Sequence, residues 1–187
     1  MTRSLRRSLP AAAALLAICV CAVEAQSPPR GEYEIKAAYL FTFGRFVEWP
    51  ARSARDDSSF TICVLGTDPF GAVLDTTLAD AVIRGRKVGA RRITSTDAAT
   101  GCHIVFVSTS EERRIETIIA SLTGSGALTV SDVPRFAEHG GMIQFVTAAN
   151  RVRFEINLMS ARDAGLTLSS ELLRVASAVR NGSGPAE

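Results

Sequence analysis

Cys63, Cys102 and the adjacent His103 are the residues best suited to chemistry in this 187-residue chain. Two thiols can form a disulfide, and a thiol beside an imidazole can act as a nucleophile or redox centre. The spacing is not Cys-x-x-Cys, so a structural bridge is the expectation and a reactive thiol the alternative. The bridge would close a loop of about forty residues, worth about 3–4 kcal/mol in the chain-entropy estimate. Gly66-Thr67-Asp68-Pro69-Phe70-Gly71 comes nearest to a phosphate loop, a strand-to-helix turn whose backbone N–H groups could hold an anion. It lacks the Lys-Ser/Thr of a P-loop and the third glycine of a dinucleotide fingerprint, so it reads as a helix start, with Asp68 as cap and Pro69 in first position. His139 and His103 are far apart, and neither belongs to an HExxH or Cys/His cluster, so no metal site is expected. Arg84, Arg86, Lys87, Arg91 and Arg92 could meet an acidic partner or a phosphate, but read more simply as a solvated turn and edge strand. No Gly-x-Ser-x-Gly elbow is present and no Ser, His and acid assemble into a triad by spacing, so neither an enzyme nor a cofactor is expected.

The compartment decides how those cysteines are read. Arg3, Arg6 and Arg7 precede an apolar run over 10–23 that ends at Val23-Glu24-Ala25, the pattern of a cleavable signal peptide over 1–25 with Gln26 as the first mature residue. The apolar run is shorter than the roughly twenty residues a bilayer core needs, which argues against a retained anchor. Ile18 before Cys19 and Val20 before Cys21 do not suit a lipoprotein signal. Cleavage removes three of the 21 basic residues and one of the 19 acidic ones, leaving 18 of each. A neutral domain is a poor counterion-releasing surface, so nucleic acid is not an expected partner. Cys19 and Cys21 leave with the signal, and an even pair remains in an oxidising compartment.

The elements that position these residues alternate. Residues 33–49 read as a helix with Ile35, Tyr39, Phe43 and Phe46 on its core stripe and Pro50 stopping it. Phe41 falls on the opposite side with Glu34, Arg45 and Glu48, so Phe41, Arg45 and the terminal Trp49 are a candidate partner-binding surface, the alternative being cover by a neighbouring loop. Strands are expected over 60–65, 87–93, 103–107 and 127–130, with helices reaching about residue 78 and spanning 111–122. Residues 142–147 and 151–157 read as a hairpin with one wet face, and 169–179 as a final helix. A linker (26–32), one domain (33–179) and a flexible tail (180–187) complete the chain; the tail carries the incidental sequon Asn181-Gly182-Ser183. The expected fold is a three-layer, Rossmann-like α/β domain with a mixed, mostly parallel sheet and a C-terminal antiparallel hairpin.

Several segments resemble the YfiR/HmsC-like periplasmic family. They are Glu34-Ile35-Lys36-Ala37-Ala38-Tyr39-Leu40, Phe46-Val47-Glu48-Trp49-Pro50 and Cys63-Val64-Leu65-Gly66-Thr67-Asp68-Pro69-Phe70-Gly71. Leu128-Thr129-Val130-Ser131-Asp132, Gly140-Gly141-Met142-Ile143, Arg151-Val152-Arg153-Phe154-Glu155-Ile156-Asn157 and Leu172-Leu173 follow in order. The resemblance implies a non-enzymatic periplasmic regulator that binds the periplasmic domain of an inner-membrane signalling protein, a diguanylate cyclase or sensor kinase, and restrains cyclic-di-GMP output and biofilm formation. Cys63 and Cys102 match a cysteine pair of the family; the second pair of some relatives is absent. A homodimer is a further expected partner arrangement. A small-ligand-binding module at the carboxyl ends of the parallel strands, near 66–71 and 108–110, is the alternative function.

Overall fold

The computed structural model describes residues 30–50 and 58–181. The signal segment 1–25, residues 51–57 and the sequon's Gly182 and Ser183 lie outside the described residues. Helix α1 (Arg30–Phe46) starts earlier and stops earlier than periodicity suggests, because Val47–Glu48 leaves it as strand β1. That strand pairs antiparallel with β9 (Thr167–Leu168), and Ser169 N donates to Phe46 O at 2.9 Å, giving the helix end a tertiary partner. The buried face of α1 carries Lys36, Ala37, Leu40, Phe43 and Gly44, one step round from the expected stripe, and Ile35 is 48% exposed. Apolar residues lie all round this helix. Its orientation is therefore chosen by contacts that hydropathy does not record: the ion pairs of Lys36, and the fit of Gly44, where a Cβ would lie 2.5 Å from Ile83 Cδ1.

The remaining elements are β2 (Ser59–Leu65), α2 (Ala72–Leu78), β3 (Val82–Ile83), β4 (Arg86–Ile93), β5 (Ile104–Val107), α3 (Ile115–Leu122) and β6 (Leu128–Ser131). The hairpin β7 (Ile143–Ala148) and β8 (Arg151–Asn157) turns through Ala149 and Asn150, both at positive φ, as a two-residue hairpin loop requires. After α4 (Leu158–Asp163) and β9, α5 (Ser170–Val175) is capped by Ser169, whose side chain accepts from Leu172 N. The expected final helix ends there. Ser177 hands the chain to β8 by donating both its N–H and its hydroxyl to Phe154 O, and β10 (Ala178–Arg180) pairs parallel with β8. Among the described residues the main sheet has the order β10-β8-β7-β6-β5-β2-β4-β3, antiparallel at β7–β8 and β3–β4 and parallel elsewhere.

This sheet is not the open middle layer of a three-layer Rossmann fold. It is a strongly curled half-barrel, closing through 215°. Phe43 of α1 stacks edge-on against Phe154 of β8 at 5.0 Å, while Gly44 meets Ile83 of β3. Six strand steps separate β8 from β3, about 29 Å in a flat sheet, whereas a helix is only about 10–12 Å across. One helix can touch both strands only if the sheet wraps round it. The twist of about 20–25° per strand supplies the tendency, and uneven cover decides the extent. The core around α1 takes residues from β2 across to β8, including Leu128 and Val130 of β6, whereas the core under α3 takes residues from β2, β4 and β5, with Ala127 just before β6, and none from the hairpin. The outer face of β8 carries exposed Arg151 and Arg153, so no helix layer there opposes curling.

Candidate functional site

The carboxyl ends of the parallel strands hold the described molecule's most unusual polar cluster. Lys36 is 3% exposed, reaching from α1 to the residue that follows β6. Its ammonium donates to Asp132 Oδ2 at 2.7 Å and to Glu32 Oε1 at 2.6 Å, and lies 4.5 Å from the centroid of the Tyr33 ring. Tyr33 also donates its hydroxyl to Asp132 Oδ2, at 2.9 Å. Burial, and then the Asp132 charge, push the Tyr33 phenol well above its ordinary range. The other carboxylate oxygen, Asp132 Oδ1, is buried without a hydrogen-bond partner. Beside the cluster lies a cavity of about 360 Å³ lined by Tyr33, Lys36, Thr109, Asp132, Gln144 and Phe145. In the sequence, Lys36 and Asp132 stand out only as members of segments that carry the family resemblance. A lysine inside an otherwise apolar helix stripe was the signal available.

The alternative site expected at 66–71 and 108–110 is built as a closed joint. Thr67 N donates to Ser110 Oγ at 2.9 Å, and a Cβ on Gly66, at φ +91°, would lie 2.5 Å from Ser110 Oγ and 2.8 Å from Glu111. Asp68 accepts from Phe70 N in a tight turn rather than capping α2, which begins at Ala72 after Gly71. Arg92 locks this loop by donating to Asp68 Oδ2 at 2.9 Å, to both oxygens of Asp75 at 2.7 Å and to Gly71 O at 2.8 Å. Hydrogen bonds from Arg92 hold the Asp75 carboxyl below its usual range.

The basic run therefore is not a free cationic face. Arg84 donates to Val47 O, and Arg91 donates to Ala98 O, Thr100 O and Cys102 Sγ. The disulfide is formed between Cys63 in β2 and Cys102 just before β5, with Cα atoms 5.8 Å apart and residue exposures of 0% and 1%. His103 does not assist it. The imidazole stacks on Phe60 at 4.4 Å in the core around α1, accepts at Nδ1 from Thr61 N, and places Nε2 3.3 Å from Arg86 Nη1. His139 pairs with Glu116 at 3.1 Å in a different cavity from Asp132. His103, His139 and Asp132 thus sit in three different places, and among the described residues no group of three or more His, Cys, Asp or Glu could hold a metal.

Of the three candidate partner-binding residues, Arg45 is exposed, Phe41 is half-buried with the Arg45 guanidinium 6.0 Å from its ring centroid, and Trp49 stacks edge-on against Phe60 at 5.3 Å. Phe41 and Trp49 both pack against the core round α1.

The described residues thus form an α/β half-barrel tied by one disulfide, with a buried ion-pair cluster at the carboxyl ends of its parallel strands. The chain belongs to the YfiR/HmsC-like family, a periplasmic family, which it matches over residues 33–177. Among solved structures, it is similar to a conserved domain protein of Vibrio cholerae, with a TM-score of 0.57 at 11% identity over 79% of this chain and 60% of that one. The ABC domain from Streptococcus pneumoniae in complex with L-Trp matches with a TM-score of 0.48 at 15% identity, over 68% and 57% of the two chains. The chain thus spans 60% and 57% of the lengths of these structures, and the first likeness is one of fold.

Proposed function

We propose that this protein is a periplasmic regulator that binds the periplasmic part of a membrane signalling protein, a diguanylate cyclase sensor in the first instance, and holds it in its less active arrangement. The observation that carries the reading is the family match over nearly the whole described domain. The N-terminal sequence supports export by a cleavable signal. In such a regulator the work is done by differential binding: the protein shifts its partner only as far as its affinities for the two states differ. The proposed contact surface is the outer side of α1 and the segment after it, Phe41, Arg45 and Trp49, with a homodimer presenting two such surfaces. Capture from solubilised membranes by the purified protein is expected to recover a cyclase or sensor kinase, and Arg45→Glu is expected to reduce recovery while leaving thermal stability unchanged. Recovery of no membrane signalling protein would overturn the reading.

A second reading, a small-ligand-binding module, is favoured by the cavity of about 360 Å³ beside Lys36 and Asp132. It moves the expected ligand site by one strand, from the closed joint at Gly66 and Ser110 to the loop after β6. A thermal-shift screen in which some small molecule stabilises the protein would support it.

A further inference from the structure

We propose that the cavity between α1 and the loop after β6 binds a small organic amine, held through its ammonium group at Asp132. The proposal rests on the small-ligand reading of the same cavity and adds the chemical class of the occupant. The argument begins with the unequal use of one carboxylate. Asp132 Oδ2 receives two donors, the Lys36 ammonium at 2.7 Å and the Tyr33 hydroxyl at 2.9 Å. Oδ1 receives none among the described residues, although the side chain is only 9% exposed. A buried acceptor without a donor is costly, and more so when it carries charge. Lys36 cannot serve it as well, being held between Asp132, Glu32 and the Tyr33 ring.

The charge balance points the same way. Among the described residues two carboxylates, Glu32 and Asp132, share one ammonium, a formal excess of one negative charge, and the Asp132 side chain is only 9% exposed. A neutral ligand could supply the missing donor but not the missing charge, and an anion would add to the excess. An ammonium group supplies both. Oδ1 has almost no accessible surface, so an ammonium group in the cavity would reach it through a turn about the soft terminal torsion of the aspartate. The rest of the cavity suits a small organic body: Phe145 and Tyr33 offer ring surface, and Thr109 and Gln144 offer polar groups at the wall. Gln144 Oε1 is already used by Ala137 N at 3.1 Å, which leaves the amide nitrogen to meet an acceptor on the ligand. The volume falls at the lower end of the roughly 300–1,000 Å³ of small-molecule sites, which selects compounds of one ring or a short chain.

The test is calorimetry and thermal shift on the purified full-length protein with putrescine and phenethylamine as probes. Their neutral counterparts 1,4-butanediol and 2-phenylethanol, and acetate as an anion, are the controls. An amine is expected to give saturable heat and raise the melting temperature, to shift the NMR signals of Thr109 and Gln144, and to lose about tenfold or more in affinity in Asp132→Asn. Should Asp132→Asn not fold, Glu32→Gln carries the test, with weakened amine binding expected because it removes the excess charge. Neutral compounds binding as well as the amines, or amine affinity unchanged in the folded variant, overturns the proposal. A neutral or anionic compound that shifts Gln144 where no amine does would leave the small-ligand reading standing without this one. Binding by none of the compounds would remove the amine class, while a stabilising hit elsewhere in a wider screen would keep the cavity reading. Membrane capture reports separately on the regulator reading.

Discussion

At the scale of single residues, Lys36–Asp132 is the most deeply buried ion pair among the described residues. Lys36→Met leaves two carboxylates facing each other without their shared cation, and breaking a buried pair in this way costs about 3–5 kcal/mol. Denaturant titration is expected to show that loss, with much of it recovered in Lys36→Met/Asp132→Asn. Tyr33 gives the cluster a signature in pH. Its phenol is held protonated in the folded protein over a range where the unfolded chain has begun to ionise. Above about pH 10 the unfolded state therefore binds fewer protons than the native state, and stability falls as pH rises. The contribution is unaffected below that range and is lost toward the raised folded value. Tyr33→Phe is expected to flatten the alkaline limb of stability against pH, measured by urea midpoints. The residues of this cluster were all visible in the sequence, but no spacing rule joins position 36 to position 132. Their proximity depends on which face α1 presents.

At the scale of elements, the disulfide and one glycine bear on how the sheet is held together. Cys63–Cys102 ties β2 to the entry of β5, which already pair in register, so the bridge acts mainly on the unfolded chain. Cys63→Ala/Cys102→Ala is expected to keep the fold and lose about 3–4 kcal/mol by the chain-entropy estimate. Mass mapping of unreduced protein should link the two peptides. At Gly141 an added Cβ would lie 2.1 Å from the Phe136 ring, and Phe136 is fully buried, so it has nowhere to go. Gly141→Ala is expected to cost about 1–3 kcal/mol by overpacking, read from the denaturation midpoint. The strands were legible because β2 and β5 are short, mainly apolar runs between turn signals, and β6 and β8 alternate apolar with polar residues. The ends of α1 and α5 were not. Val47 and Ala178 leave their helices for strand partners at Leu168 and Glu155, which lie far away or across the sheet and exert no pull on local propensity.

At the scale of the whole molecule, the outer side of α1 is where partner capture tests the regulator reading. Arg45 is the sharper probe of the three residues proposed there. It is exposed, and a surface substitution of this kind ordinarily changes stability by less than about 0.5 kcal/mol, so lost capture by Arg45→Glu would report binding. Phe41 and Trp49 also pack against the core, and a change at either mixes folding with recognition. The sequence by itself determined the alternation of strands and helices, the mostly parallel sheet with its antiparallel hairpin, the cysteine pair and the family. Each follows from local pattern or from residues read in order along the chain. The curl of the sheet, the face α1 buries and the meeting of Lys36, Tyr33 and Asp132 were decided by the tertiary structure. The reason is that strand periodicity says which residues point to either side of a sheet but nothing of how far that sheet bends. Bending here is set by how much of each face is covered: α1 lies against one side from β3 to β8, while the hairpin's other side stays wet. Wrapping the sheet round one helix is what brings the end of β6 over Lys36 and makes the cavity beside them.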